Sequence, residues 1–286
     1  MTVKPVVLIC SCKADRANGR QQATHETWAR EWGHLMDVRV MLGHGNADPE
    51  PDEIILDAPD GYAELPFKTA KGCQWALDHG YSHLFKCDTD TYVILPRLLS
   101  VIPPPDVHCA GCRHNNLFPH GHMGGGGYWL DRVAFEIIAN TPPVDGATGM
   151  PYEDAWATAT LAKRGIFAAY DDRRYRARLH PRDPDGLWEG TVAATLGHGT
   201  DKFDPADMYA CHKKFMEFAS AGDLISKVLP PLPSPLPTPH DKELQRKYEQ
   251  QGATGWAPSS SSPLPPPRIN QRGAWEREMQ RRGLKA

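Results

Sequence analysis

Long apolar runs are missing from this sequence. The longest one near its start, Val6–Cys10, is far shorter than the roughly 20 residues of a membrane-spanning helix and shorter than the apolar core of a signal peptide. A strong charge is missing as well, because the formal net charge is only −3. Charge alone would therefore not hold duplex DNA or an anionic membrane, although a nucleic-acid partner is not excluded. These absences predict a cytoplasmic protein without a membrane span.

Cysteine is scarce and scattered. The seven cysteines form no regular framework, and in a reducing compartment we expect them to stay thiols. Cys109 and Cys112 have a spacing that suits zinc, with His108 and His114 beside them, but a second pair of this kind is missing. The pair therefore leaves two interpretations open, a structural zinc site or ordinary buried or loop thiols.

The composition divides the chain into two parts. Its 286 residues, of which 40% are hydrophobic, suit one globular catalytic domain with an additional segment. From Val228 onward the sequence is rich in Pro and Ser and then basic, and such a segment cannot bury a core. We expect a domain over residues 1–227 and a largely disordered linker and tail over residues 228–286.

Strand and helix patterns alternate along the predicted domain. Strands are expected at Lys4–Cys12, Asp37–Leu42, Ile54–Leu56, His83–Cys87, Val107–Ala110 and Thr191–Leu196. Helices are expected at Gln21–Trp32, Leu65–His79, Asp131–Asn140 and Glu153–Arg164, and the run Gly124–Gly127 is expected to form a flexible loop. This alternation predicts an α/β fold, a single domain with a mixed, mostly parallel sheet.

Asp88, Thr89 and Asp90 directly follow the strand His83–Cys87. The carboxyl end of a strand is where open α/β sheets place their ligands. A nucleotide-sugar donor carries diphosphate charge, and a Mn²⁺ or Mg²⁺ ion held by a carboxylate would absorb it as a Lewis acid. Turns and helix N-termini use the same residue types, so the Asp-x-Asp pattern needs support from the rest of the chain.

Five segments between about Val6 and about Phe215 provide that support. They are Arg20–Trp28 (RQQATHETW), Asp60–Thr69 (DGYAELPFKT), Lys86–Val93 (KCDTDTYV), Gly125–Tyr128 (GGGY) and Glu153–Ala155 (EDA). In order and spacing they resemble the motifs of the family 31 beta-1,3-glycosyltransferases, the group that contains Fringe and the core 1 galactosyltransferases. The resemblance implies a Rossmann-like GT-A fold and a metal-dependent, inverting transfer of a sugar from a UDP-sugar to an acceptor hydroxyl.

The resemblance also implies roles for particular residues. Asp154 would be the base that takes the proton of the acceptor hydroxyl, and Glu153 would help to place the acceptor or its loop. The metal ligands would be Asp90, Asp88 and the late histidine His198, with His180 and His212 as weaker candidates. Further donor contacts are expected from Ser11, Arg20, Lys68, Thr89, Gly126 and Gly127.

The chain departs from the family pattern at three points. His25 stands where the family has Arg, Thr89 replaces the middle Asp of the acidic run, and the paired cysteines of secreted members are not evident. The lack of paired cysteines fits a cytosolic relative. Glu153 and Asp154 also have a simpler interpretation, as a charge pair that a helix N-terminus stabilises without any catalytic part.

Two other functions remain open. Asp88 could be the phosphorylated nucleophile of a haloacid-dehalogenase-like phosphatase, although Tyr92 stands where that motif has Thr or Val. The chain could also be a non-catalytic binding or adaptor protein whose Pro-rich tail, Pro230–Pro239, docks on a partner as a polyproline helix. The sequence specifies neither the donor sugar nor the acceptor, which could be a glycan, a protein, a small molecule or a hydroxylated nucleobase.

Overall fold

The computed structural model of the protein describes residues 3–114, 122–141, 143, 152–172, 174–176, 190–197 and 203–219. The predicted linker and tail, the domain boundary at Val228 and the histidines His180 and His198 lie outside these residues. Among the described residues, no helix combines the length and the apolar character that crossing a membrane requires.

The first half of the chain alternates strands with helices. The strands are β1 (Pro5–Cys10), β2 (Asp37–Leu42), β3 (Glu53–Ile55) and β4 (His83–Asp88). The helices are α1 (Lys13–Ala17), α2 (Arg20–Thr24), which continues through a π-helical turn (His25–Ala29) into α3 (Arg30–Trp32), and α4 (Leu65–Asp78). The strands lie in the order β3-β2-β1-β4, and all three neighbouring pairs are parallel.

The second half extends this sheet and adds a smaller one. Its elements are β5 (Thr91–Val93), α5 (Leu95–Ser100), β6 (Cys109–His114), β7 (His122–Asp131), α6 (Arg132–Ala139), α7 (Glu153–Ala162), β8 (Ala169–Tyr170), β9 (Tyr175–Arg176), β10 (Ala193–Thr195) and α8 (Pro205–Ala219). The main sheet has the order β3-β2-β1-β4-β7-β6-β8, in which β7 is antiparallel to β4 and β6. Strands β5, β10 and β9 form the small sheet. The predicted α/β fold with a mixed, mostly parallel sheet is confirmed.

Both faces of the main sheet are covered by helices. Side chains of β1 alternate between two apolar clusters, with Val7 and Ile9 in one and Val6 and Leu8 in the other. Helices α2, α3 and α8 contribute to the first cluster, and α4, α6 and α7 contribute to the second. A strand buried on both faces reads as a continuous apolar run, which is why β1 was recognisable in the sequence.

The same two clusters decide the question of a zinc site. Cys109 belongs to one cluster and Cys112 to the other, so the two thiols lie on opposite faces of the sheet. Both are buried, and neither forms a disulfide. The pair cannot ligate one ion, and the interpretation as buried thiols holds.

The prediction of a flexible loop at Gly124–Gly127 was wrong, because the run forms the middle of β7. Glycine is required there by the close approach of neighbouring chain segments. A Cβ atom on Gly126 would lie 2.8 Å from the backbone of Arg176, and one on Gly127 would lie 2.5 Å from the Phe85 ring. Gly127 also has a φ of +84°, in the left-handed region.

The substitution Gly127→Ala should therefore destabilise the protein for two reasons, the positive φ and the clash with Phe85. Gly165→Ala is the matched control, because Gly165 has a φ of +76° and open space around its Cβ position. We expect a loss of roughly 1 to 2 kcal/mol at Gly165 from the backbone alone and a further 1 to 3 kcal/mol at Gly127 from overpacking. Urea unfolding measures both, and equal losses would contradict the close packing of β7 on β4.

Candidate active site

A small cleft lies where the carboxyl end of β4 meets the start of α7. Its lining includes Asp88 at the end of β4 and Glu153 and Asp154 at the start of α7, with Gly124 and Gly127 of β7 between them. The structure thus brings together carboxylates that are far apart in the chain and that the sequence had assigned to one site.

Lys86 is a buried cation inside this cleft. It belongs to β4 and is 5% exposed, and its Nζ lies 2.7 Å from Asp88 Oδ1 and 3.0 Å from Glu153 Oε2. Burial disfavours the charged lysine, but Asp88 and Glu153 outweigh burial and raise the pKa of Lys86 well above its ordinary value. The permanent cation therefore fastens the end of β4 to the start of α7.

Glu153 takes part in this fastening. The side chain is almost fully buried; Lys86 pairs with one carboxylate oxygen, and the Tyr128 hydroxyl donates a hydrogen bond to the other. Both oxygens therefore already have partners within the protein. This arrangement suits Glu153 to holding the start of α7 in place. The part that the resemblance implied for Glu153, placing the acceptor or its loop, stays a prediction.

Asp154 is the carboxylate with the properties of a base. Burial and the adjacent charge of Glu153 raise the pKa of Asp154 to about 7, although Lys86 opposes the shift. A carboxylate with a pKa near neutrality is matched to accepting a proton at physiological pH. Gly124 leaves space for this side chain, because a Cβ atom on Gly124 would overlap Asp154 Oδ2.

Asp90 occupies the turn between β4 and β5. Its carbonyl oxygen accepts a hydrogen bond from the Leu196 N–H at 2.8 Å, which ties the acidic turn to the end of β10. Burial and the like charge of Asp88 raise the pKa of Asp90 to about 7, and Arg20 works in the opposite direction. A second cation near Asp90 would therefore favour its ionised form.

Arg20 and Thr89 are both held by Asp15. Arg20 Nη1 lies 3.4 Å from Asp15 Oδ1, and Thr89 donates a hydrogen bond to Asp15 Oδ2 at 2.9 Å. Arg20 also donates to the carbonyl oxygen of Phe203 at 3.1 Å. The three side chains link α1 and α2 to the acidic turn, so Asp15 is a residue of this site that sequence reasoning missed.

Lys68 and Asp60 connect the loops that follow β1 and β2. Lys68 is fully buried, and its Nζ lies 2.6 Å from Asp60 Oδ1 and 2.7 Å from the carbonyl oxygen of Ser11. Asp60 also accepts hydrogen bonds from the N–H groups of Lys13 and Gly43, at 2.7 Å and 2.8 Å. The side chains of Lys68 and Ser11 are thus internal, and they shape these loops from within.

His25 lies in the π-helical turn that follows α2, where it pairs with Asp52. Its Nε2 is 3.0 Å from Asp52 Oδ2, just before the start of β3. With Glu50, these residues can bring three possible ligand atoms within 4.8 Å of one another. This group is separate from the predicted metal site. The weaker candidate His212 packs on Trp32 and contacts the Tyr92 hydroxyl at 3.0 Å, so it belongs to the helical cover of the sheet.

One available signal in the sequence would have identified the role of Lys86. A lysine in an otherwise apolar strand needs carboxylate partners, because an unpaired buried charge is costly. Tyr62 and Tyr152 also line the cleft. Tyr62 belongs to the motif segment Asp60–Thr69, but the motif does not show that its side chain is exposed there. Tyrosine is common both in cores and on surfaces, so its type does not reveal exposure.

The buried position of Lys86 predicts a large effect of its removal on stability. Lys86→Met leaves the charge of Glu153 uncompensated, and the free energy of unfolding should fall by roughly 3 to 5 kcal/mol. The double variant Lys86→Met/Glu153→Gln should recover most of this loss. Lys71→Met on the exposed side of α4 is the control and should change stability by less than about 1 kcal/mol. Equal effects of the two lysine substitutions in urea unfolding would contradict the buried pairing.

No protein-family model and no curated protein sequence matches the chain. Among solved structures, it is similar to a glycosyltransferase involved in the glycosylation of the major capsid of PBCV-1, with 13% identity and a TM-score of 0.47 over 75% of this chain and 99% of that one. It is also similar to a mutant of Drosophila beta-1,4-galactosyltransferase 7 in complex with manganese, UDP-Gal and xylobiose, with 12% identity and a TM-score of 0.36 over 59% of this chain and 65% of that one. Similarity at this level assigns neither donor nor acceptor.

Proposed function

We propose that the protein is a metal-dependent, inverting glycosyltransferase of the GT-A type that moves a sugar from a UDP-sugar to an acceptor hydroxyl. One observation carries the proposal. Asp154, whose pKa is about 7, lines the same cleft as Asp88 of the acidic pair after β4. A proton acceptor and a carboxylate suited to a donor's metal ion thus share one space. The donor type and the inversion come from the resemblance of five segments to the family 31 enzymes.

The chemistry of Asp88 and Asp90 fits a divalent ion. Two carboxylates at a strand end are the hard oxygen ligands that Mn²⁺ and Mg²⁺ prefer. Burial, and after it the charge of Asp88, raises the pKa of Asp90, so a bound cation would favour its ionised form. We assign Mn²⁺ or Mg²⁺ to Asp88 and Asp90, together with His198, which lies outside the described residues. When bound, the ion supplies charge neutralisation for the leaving diphosphate.

The residues of the chain divide the remaining work. Asp154 accepts the proton of the acceptor hydroxyl while the hydroxyl oxygen bonds to the anomeric carbon of the donor. The bond from that carbon to the diphosphate breaks on the opposite face, which inverts the configuration. Lys86 holds Asp88 and Glu153 in place.

The two alternative functions, a phosphatase and an adaptor protein, require different features of the chain. A phosphatase of the haloacid-dehalogenase type needs its nucleophile on the first strand of its domain, whereas three strands precede β4 here. It would form a phosphoryl-enzyme on Asp88, while a transferase hydrolyses a UDP-sugar. An adaptor would depend on its tail, so a chain ending at Val228 should keep donor hydrolysis if the proposal is right.

Substitutions of Asp154 and Asp90 should have different effects on turnover and donor binding. Asp154→Asn keeps the shape but cannot accept a proton, so turnover should fall by roughly 10²-fold or more while donor binding is preserved. Asp90→Asn removes a metal ligand, so donor binding and turnover should fall together. Calorimetric titration of UDP-sugar with Mn²⁺, beside turnover, measures both effects, and Asp78→Asn on the exposed side of α4 is the control.

Two results would contradict these assignments separately. Near-normal turnover of Asp154→Asn would exclude Asp154 as the base. Donor and metal binding of Asp90→Asn at the wild-type level would exclude Asp90 as a ligand.

The pKa of Asp154 also predicts a pH dependence of turnover. A base works in its deprotonated form, so kcat at saturating donor and Mn²⁺ should be constant at high pH and fall about tenfold per pH unit below the pKa of Asp154. A Mn²⁺ ion on Asp88 would lower that pKa from its metal-free value of about 7. Saturation with Mn²⁺ keeps the titration of Asp90 out of the profile. The residual activity of Asp154→Asn should lack this acidic limb. An unchanged limb in that variant would assign the titration to another group.

A further inference from the structure

Two tyrosine side chains are exposed at the cleft. Tyr62 is 58% exposed and Tyr152 is 40% exposed, and both line the same cleft as Asp154. Aromatic side chains in a concave site that also holds a few polar groups are the usual lining of a small-molecule subsite. Tyr128, which lines the same cleft, is buried and already bonded to Glu153. Tyr62 and Tyr152 thus offer aromatic surface to a ligand, and Tyr128 does not.

The two tyrosines come from different elements and line the same cleft as Asp154. Tyr62 precedes α4, whereas Tyr152 is the residue from which α7 starts, directly before Glu153 and Asp154. Partial burial, with the charges of Asp88 and Asp154, raises the pKa of Tyr62 to about 12, so its hydroxyl stays neutral at physiological pH. Much of Tyr62 is nevertheless open to solvent.

The chemistry of the cleft selects among possible acceptors. A pyranose ring has a face of C–H groups, which packs on an aromatic ring, and a rim of hydroxyls, one of which can reach a carboxylate. Three carboxylates, on Asp88, Glu153 and Asp154, outnumber the single cation of Lys86 among the charged groups that line the cleft. This negative charge disfavours the phosphates of a polynucleotide.

We propose that Tyr62 and Tyr152 form an acceptor subsite for a neutral pyranose ring and turn one of its hydroxyls toward Asp154. The subsite rests on the proposed function for its role in transfer. The pyranose packs its C–H face on the two aromatic rings, and its outer hydroxyls stay in water. Tyr62 and Tyr152 are then specificity-determining residues, and the donor sites at Asp88 and Asp90 do not depend on them.

Saturation-transfer NMR tests this subsite directly. The full chain is titrated with methyl β-glycosides of galactose, glucose and xylose in the presence of UDP and Mg²⁺, which avoids paramagnetic broadening by Mn²⁺. The variants are Tyr62→Ala, Tyr152→Ala and the conservative Tyr62→Phe. Tyr209→Ala is the matched control, because Tyr209 is similarly exposed but lies on α8 and contacts Glu26.

At least one glycoside should receive saturation at its ring C–H protons. Each alanine substitution at the cleft should weaken its binding roughly tenfold, as expected for the loss of one aromatic contact, while Tyr62→Phe and Tyr209→Ala should bind as the wild type does. UDP binding, followed in the same spectra from the uracil protons, should be equal in all variants.

Three outcomes would overturn the subsite. In the first, no glycoside binds although UDP does, and in the second, the alanine variants bind glycosides as tightly as the wild type. In the third, 5-hydroxymethyl-2′-deoxyuridine or a serine peptide binds through the two tyrosines in preference to every glycoside. If the wild type failed to bind UDP, the proposed function would fail instead. Glycoside binding that depended on both tyrosines would in that case still support a sugar subsite.

Discussion

The site depends on the ion pairs of Lys86 with Asp88 and Glu153. A lysine buried in the middle of a sheet is stable only with close carboxylate partners, and here two segments of the chain supply them at 2.7 Å and 3.0 Å. The ion pairs bring the end of β4 against the start of α7. Because Asp154 follows Glu153, the same contacts that satisfy the lysine also set Asp154, the proposed base, in one cleft with Asp88.

Burial and an excess of negative charge together account for the raised pKa values of Asp90 and Asp154. Burial disfavours the charged form of each carboxylate most, and the neighbouring carboxylates around the carboxyl end of β4 add to the shift. Asp154 responds with a pKa of about 7, which suits a base, and Asp90 responds with a pKa of about 7, which suits a ligand that a metal ion would ionise. The proposed transfer uses both responses at once.

The parts of the fold with strong periodicity were predictable. β1, β2, β4 and α4 follow from apolar runs and helical spacing, and the position of Asp88 at a strand end follows from β4. Features that depend on tertiary neighbours were not predictable. The sequence of the run Gly124–Gly127 is typical of a loop, and only the fold shows that Phe85 and Arg176 pack directly against it. Similarly, Cys109 and Cys112 look like a chelating pair until the strand separates them to opposite faces.

The candidate site shows the same division. Asp88 and Asp154 were assigned from motifs, and the structure places them in one cleft. Lys68 and Ser11 were assigned as donor contacts, but Lys68 donates a hydrogen bond to the carbonyl oxygen of Ser11 inside the fold. Asp60, the partner of Lys68, also accepts hydrogen bonds from two loop N–H groups. These contacts form only in the folded chain. The exposure of Tyr62 and Tyr152 at the cleft is likewise a property of the folded chain alone.

Anomalous scattering from crystals grown with UDP and Mn²⁺ tests the central claim most directly. Within the part of the chain that the structure describes, the proposed site at Asp88 and Asp90 competes with a second candidate, the group His25, Glu50 and Asp52. The account predicts a manganese peak beside Asp88 and Asp90, with UDP density next to it in the cleft that Asp154 lines. A peak at His25, Glu50 and Asp52 with none beside Asp90 would contradict it.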